Sequence, residues 1–311
     1  MESDEATWVA GSPFRAGLSR RPCEFCNDRG MADYRYVVCD VFTDTPLQGN
    51  QLAVFTDARG LESETMQALA REINYSESTF VLPAEEGGHA RMRIFNPVFE
   101  MEFAGHPTLG TAWVLAGPLQ LAEIRLETLA GIVAVRLERD ENRIVFGRMV
   151  QPLPTVRPYE AESELLSALG LERSELPVEL YDNGVKHVYV GFATVDEVAG
   201  LRPDLSRLAL LPNVVGINCF AGSDAHWKTR MFAPSGGVSE DPATGSAAGP
   251  LAFHLARHGR IPFGEEIEIS QGAEIGRPSK LFARADGTPD EPELIEVGGS
   301  AVIVARGEFR L

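Results

Sequence analysis

Apolar and polar side chains alternate from Tyr34 to Phe42, and the alternation starts abruptly after Met31. A period of two in β-branched and aromatic residues predicts a strand. The same criterion predicts strands at 52–56, 79–82, 90–95, 123–128, 132–137 and 144–149. Met66, Leu69, Ala70 and Ile73 recur at helical spacing, so a helix is expected over 63–73 with Ser63 as its cap. A short apolar helix is expected over 107–115, with Pro107 at or near its first position. The stretch 151–158 holds three prolines and reads as a linker. Beyond it the pattern restarts with a helix at 162–169, stopped by Gly170. Strands follow at 178–181, 187–190, 215–220 and 227–232. A helix at 247–258 is expected to tolerate Pro250 in its first turn. Strands at 266–270, 280–284, 294–297 and 301–306 close the chain.

Each half therefore has many strands and one apolar helix. A helix with no polar face must be wrapped by other elements. The expected fold class is α+β: two pseudo-symmetric domains, each a strand-rich barrel around a central helix. Strands and helices do not alternate regularly, which disfavours a doubly wound sheet. The expected division is an extension at 1–33, one domain at 34–150 and a second at 151–311. The last strand of the second is expected to pack back on the first domain. The extension reads as disordered, with Met31 as a candidate natural start.

The halves also repeat in sequence. Arg93-Ile-Phe-Asn-Pro97 and His106-Pro-Thr-Leu-Gly-Thr-Ala112 have counterparts in Arg230-Met-Phe-Ala-Pro234 and Asp241-Pro-Ala-Thr-Gly-Ser-Ala247. Aligned on these motifs with one short gap, His106 matches Asp241 and Thr111 matches Ser246. Duplication with unlike acid–base groups implies one site between two half-molecules.

Composition narrows the partners. At 311 residues the chain is long enough for two ordinary domains. Its net charge of −17 repels phosphate backbones and anionic lipid, so neither nucleic acid nor membrane is expected. No apolar run approaches the roughly 20 residues of a membrane helix. A local nest of amides can still hold an anion. Of the four cysteines, Cys39 and Cys219 sit in apolar runs and read as buried thiols. That usage points to the reducing cytoplasm. Cys23 and Cys26 are half a zinc site at best, and no metal is expected.

Both repeated loops precede a buried helix. The first amides of a helix lack internal partners and carry positive potential, and glycine lets backbone approach a ligand. Gly105 and Gly245 are therefore candidates to cradle a carboxylate between two helix ends. Glu77 lies between small hydroxyl residues ahead of a strand. In a closed pocket its pKa would rise into the range of a general acid–base. His106, Asp241 and Ser246 are candidate substrate contacts, or else cap turns and helices.

Ser76-Glu-Ser-Thr-Phe80, Phe103-Ala-Gly-His-Pro-Thr-Leu-Gly110 and Ser239-Glu-Asp-Pro-Ala-Thr-Gly-Ser-Ala247 resemble, in order, the motifs of the PhzF-like phenazine-biosynthesis family. The resemblance covers about residues 34–311. It implies the diaminopimelate epimerase-like fold and a cofactor-free, metal-free isomerase, homodimeric, acting on a small carboxylate. In phenazine-pathway members the substrate is trans-2,3-dihydro-3-hydroxyanthranilate. The resemblance gives proton transfer to Glu77, substrate holding to His106, Asp241 and Ser246, and carboxylate binding to the amides around Gly105 and Gly245. Three other readings are weighed against it. A two-thiol epimerase needs a cysteine on each loop, and neither loop has one. A serine hydrolase needs Ser in the middle of a nucleophile elbow, and Gly245-Ser-Ala-Ala-Gly249 is not that spacing. A non-catalytic binding protein has no need to retain Glu77 with His106, Asp241 and Ser246.

Overall fold

The computed structural model describes residues 32–311. Cys23, Cys26 and the proposed start at Met31 lie outside the described residues.

Two runs of strands repeat one pairing scheme. In the first, Asp33–Val41 pairs antiparallel with Asn50–Phe55, which lies parallel to Glu77–Leu82. Glu77–Leu82 pairs antiparallel with Ala90–Phe95, which lies parallel to Glu123–Thr128. Gly131–Asp140 and Arg143–Val150 complete the run antiparallel. In the second, Glu179–Asp182 pairs antiparallel with Lys186–Gly191, which lies parallel to Gly216–Ser223. Gly216–Ser223 pairs antiparallel with His226–Ala233, which lies parallel to Glu266–Gln271. Ser279–Gly287 and Pro292–Gly299 complete it antiparallel. The closing strands of the two runs, Arg143–Val150 and Pro292–Gly299, pair with each other.

The halves then exchange strands. After Arg143–Val150 the chain enters Thr155–Pro158, which pairs with Glu179–Asp182 at the start of the second run. After Pro292–Gly299 it enters Ala301–Arg310, which pairs with Asp33–Val41. The proline-rich stretch expected as a linker is thus partly a strand. A proline at its end is tolerated where no ladder donor is required.

The repeated Arg-x-Phe motif has one geometry in both copies. The Arg93 guanidinium lies 5.1 Å from the Phe95 ring centre and donates to both carboxylate oxygens of Glu100 at 2.7 and 2.6 Å. Arg230 lies 5.1 Å from Phe232 and grips Glu240 at 2.8 and 2.7 Å. This fixes the register of the duplication. Glu100 stands five residues before Gly105, and Glu240 five before Gly245, where the two central helices begin. The structural counterpart of Gly105 is therefore Gly245, and that of His106 is Ser246. Asp241 matches Met101. The motif-based register was five residues out around the helices, because Gly110 was matched to Gly245 on local similarity.

The first central helix, Gly105–Leu119, is buried continuously from Gly105 to Val114. The second, Gly245–Arg257, is buried from Gly245 to Ala256. Both begin earlier than their periodicity predicts, so their prolines are displaced. Pro107 is the third residue of its helix, and Pro250 is the sixth of its own, beyond the first turn. A proline there removes the donor for the carbonyl four residues back, which is that of Ser246. The Asn183 side-chain amide donates to that carbonyl at 2.9 Å instead. The helix Ser63–Ile73 has the predicted bounds, but Glu62 is its N-cap and no side chain caps it. The Ser63 hydroxyl accepts from Arg93. Two short helices escaped the pattern: Val195–Gly200, opened by a Thr194/Glu197 capping box, and Leu205–Leu208, capped by Asp204.

At the far end of the second helix a buried carboxylate is fully engaged. Glu179 Oε2 accepts from Tyr181 at 3.0 Å and from His258 at 2.9 Å, and lies 3.3 Å from His254 Nδ1. Burial raises its pKa. The hydrogen bonds from His254, His258 and Tyr181, with the charge of Arg257, outweigh that and hold it down at about 2.

Candidate active site

The N-termini of the two central helices meet head to head. A Cβ on Gly105 would lie 2.4 Å from the Gly245 carbonyl carbon and 2.4 Å from the Ser246 nitrogen. Only glycine allows this approach. Two positive helix ends in contact repel each other unless an anion lies between them or beside them. Both ends line a cavity of about 480 Å³, its open mouth included, together with Glu77, His106, His187, Asp241, Thr244 and Ser246. Among the described residues its lining contains no lysine or arginine, so neutral donors, the amides, hydroxyls and imidazole N–H groups, are what it offers an anion. Apart from Asn96, the remainder is apolar or glycine, with Met101, Val185, Val215, Met231 and Val238 its larger side chains.

All six residues singled out from the sequence are thus brought together. Glu77 opens the strand Glu77–Leu82, whose parallel pairing with Asn50–Phe55 delivers its side chain to the cleft. Its Oε2 lies 3.4 Å from His106 Nδ1, is buried and has no hydrogen-bond partner. Burial raises the Glu77 pKa well above the ordinary range, and the negative charge of Asp241 adds to this. Burial also lowers His106 to about 3, opposed only by a backbone contact at Gln51. The 3.4 Å contact therefore joins a neutral imidazole to a carboxyl group and is not an ion pair at neutral pH.

Asp241 is treated differently. Asn50 Nδ2 and the Ser76 hydroxyl each donate to its Oδ1 at 2.9 Å, and the Thr244 hydroxyl donates to Oδ2 at 2.6 Å. Burial raises its pKa above the ordinary value, and these three donors offset only part of that. Within the pair the donors hold the negative charge on Asp241, and the proton belongs on Glu77. Asn50 also contacts His106 Nδ1 at 3.2 Å and the Ala243 carbonyl at 2.9 Å, linking the two halves. Ser246 neither caps its helix nor contacts His106. Its hydroxyl lies 3.0 Å from His187 Nε2. Thr111, matched to Ser246 by motif, instead bonds Thr79 at 2.8 Å inside the first half.

Sequence reading missed Asn50, His187 and Gln271. Gln271 donates to the Asp241 carbonyl at 2.8 Å and accepts from the Thr244 amide at 3.2 Å. Asn50 follows Gly49 and precedes Gln51, His187 follows Lys186, and Gln271 follows Ser270, so each sits among polar neighbours and the local sequence carries no signal of its role. Cys39 and Cys219 are buried free thiols, pushed up by burial, and neither lines the cavity. Among the described residues no thiol lines the cavity to serve a two-thiol proton relay.

Like halves meeting at their helix ends over one cleft define the architecture of the two-domain epimerases and isomerases. A hydroxyproline epimerase from Agrobacterium vitis shares this fold at TM-score 0.60 and 14% identity, over 90% of this chain and 93% of that one. The model of the phenazine biosynthesis-like proteins, PhzC-PhzF, matches residues 39–307, and the chain belongs to that family. The trans-2,3-dihydro-3-hydroxyanthranilate isomerase of Pseudomonas aeruginosa is 51% identical over 278 residues, covering 89% of this chain and all of that protein. The enzyme of the same name from Pseudomonas fluorescens is 49% identical over the same shares. A PhzF-family crystal structure from Bacillus anthracis superposes at TM-score 0.77 with 29% identity, over 90% of this chain and 99% of that one. The chain is an isomerase of the PhzF type. No helix among the described residues is long and apolar enough to cross a membrane.

Proposed function

We propose that this isomerase acts on trans-2,3-dihydro-3-hydroxyanthranilate and that Glu77 relocates the proton. The observation that carries the reading is the Glu77 carboxyl, buried and unpartnered at Oε2, beside two converging helix ends. The substrate follows from relatives about half identical over their whole length that bear that name.

In this reading the substrate carboxylate sits against the amides around Gly105 and Gly245 and the Ser246 hydroxyl. Asp241, held ionised by Asn50, Ser76 and Thr244, faces the positive or hydrogen-bond-donating side of the substrate. His106, neutral, orients it beside Glu77. The Glu77 carboxyl gives its proton to one carbon, and the carboxylate takes one from another. Its raised pKa brings donor and acceptor forms closer in energy near neutrality. The reaction has no net redox change and calls for no metal or cofactor. The protein works in the cytoplasm as a homodimer.

The test is incubation of the protein with trans-2,3-dihydro-3-hydroxyanthranilate in deuterated buffer, followed by NMR. Conversion with deuterium appearing on a ring carbon is expected. No conversion would remove this substrate and leave the isomerase class.

A further inference from the structure

Ser246 has a partner whose chemistry is fixed by its surroundings. His187 lies on the strand Lys186–Gly191, is 1% exposed and lines the cavity. Its Nε2 is 3.0 Å from Ser246 Oγ, and its Nδ1 is 3.4 Å from Asn218 Nδ2. The Asn218 amide cannot be turned the other way. Its Nδ2 also lies 3.4 Å from the Val188 carbonyl, which can only accept. Nδ1 of His187 must therefore accept. The imidazole is neutral, because burial lowers its pKa to about 3. Its single proton then sits on Nε2 and points at Ser246. The ring is also clamped: a Cβ on Gly216 would lie 2.3 Å from Nδ1 and 2.9 Å from Cε1.

We propose that His187 is a positioning residue, which occupies the acceptor side of the Ser246 hydroxyl and leaves its proton to be donated to a carboxylate in the cavity. The relay runs from the Asn218 amide to His187 Nδ1, from His187 Nε2–H to Ser246 Oγ, and from the Ser246 O–H to the ligand. This rests on the reading above that the cavity receives a carboxylate. It also accounts for Ser246 not being a nucleophile. An imidazole already protonated on the nitrogen facing the serine cannot take the serine's proton, and no carboxylate stands on its far side. The site thus contains a Ser–His pair wired in the reverse sense of a hydrolase.

The test uses 3-hydroxyanthranilate as probe and 2-aminophenol, the same ring without the carboxylate, as control. His187→Phe should weaken 3-hydroxyanthranilate roughly tenfold, the scale of one lost hydrogen bond to a charged group, and leave 2-aminophenol unchanged. His187→Gln, whose amide N–H can reach Ser246, should restore most of the loss. Ser246→Ala should cost the same as His187→Phe, and the double variant little more. Additive losses, or full affinity in His187→Phe, would overturn the relay. Equal wild-type affinity for probe and control would overturn the carboxylate reading itself, and the relay with it. Nitrogen-15 NMR of the unsubstituted protein decides independently of any variant's folding. The relay requires the neutral Nε2–H tautomer at His187, and an Nδ1–H tautomer rules it out.

Discussion

Asp241 and Asn50 are 191 residues apart and lie 2.9 Å from each other, side chain to side chain, both buried at the seam of the two halves. Asn50 belongs to the first half and Asp241 to the second, so the pair reports on whether the halves are seated. Asp241→Ala removes the acceptor of the Ser76 and Thr244 hydroxyls and one of the acceptors of Asn50 Nδ2, which keeps the Ala243 carbonyl. Leaving such groups unpaired costs on the order of 1–3 kcal/mol each where no water replaces the partner. Weaker substrate binding and slower turnover are both expected, with a lower melting temperature. Unchanged kinetics would remove Asp241 from the site.

Glu77→Gln should abolish exchange of substrate C–H with solvent deuterium while binding persists. Exchange at the wild-type rate would show that another group moves the proton. The same variant tests the raised pKa through stability. A carboxyl whose folded-state pKa lies above its ordinary 4.5 binds its proton more tightly in the folded state. Its favourable contribution is complete below 4.5 and is lost as pH rises through the folded value. Glu77→Gln should therefore melt higher than the wild type at pH 8, and the gap should close below pH 4.5. A gap independent of pH would contradict the shift.

Gly105→Ala puts a methyl group 2.4 Å from the facing backbone. Backbone cannot swing aside as a side chain can, so the helix ends must separate. Overpacking of this kind costs about 1–3 kcal/mol. Turnover should fall by more than the stability change alone would produce, because the carboxylate cradle widens. Wild-type turnover in a folded Gly105→Ala protein would count against the cradle.

Asn183→Ala strands the Ser246 carbonyl that Pro250 has already deprived of its helical donor. A destabilisation of about 1–3 kcal/mol is expected in chemical denaturation. Combining it with Pro250→Ala, which restores the helical N–H, should recover much of the loss.

Glu179 should control acid sensitivity. Its folded-state pKa of about 2 lies below its ordinary 4.5, so its stabilising contribution is present above 4.5 and is lost as pH falls toward 2. Denaturant midpoints for wild type and Glu179→Gln should differ most at pH 7 and converge near pH 2. Parallel curves would show that the network carries no linked protons.

Much of this was readable in advance where residue type and periodicity agreed. The helix over 63–73 and the strands at 90–95 and 123–128 have the bounds their patterns predict. The helix Glu162–Leu169 ends at Gly170 with φ 74°, as a left-handed glycine cap requires. The central helices were found but begun late. Gly105, His106, Gly245 and Ser246 give no hydrophobic period, and their helical state is imposed by the opposing helix end and the packed core. The duplication was visible while its register was not, since that depends on Glu100 and Glu240, single acidic residues meaningful only once Arg93 and Arg230 grip them. His187 and Asn50 were illegible for a related reason. Their partners lie 59 and 191 residues away, and nothing local marks them.

The reciprocal strand exchange has a consequence for how the molecule forms. Asp33–Val41 pairs with Ala301–Arg310, and the Ala32 and Leu311 backbones bond each other at 2.8 and 3.1 Å. During synthesis the first half must therefore wait, with one flank of its opening strand unsatisfied, until Ala301–Arg310 has left the ribosome. Contacts of such sequence separation make for slow folding and leave an exposed sheet edge in the interval. A delay in the C-terminal strand would be felt as aggregation of the half made first.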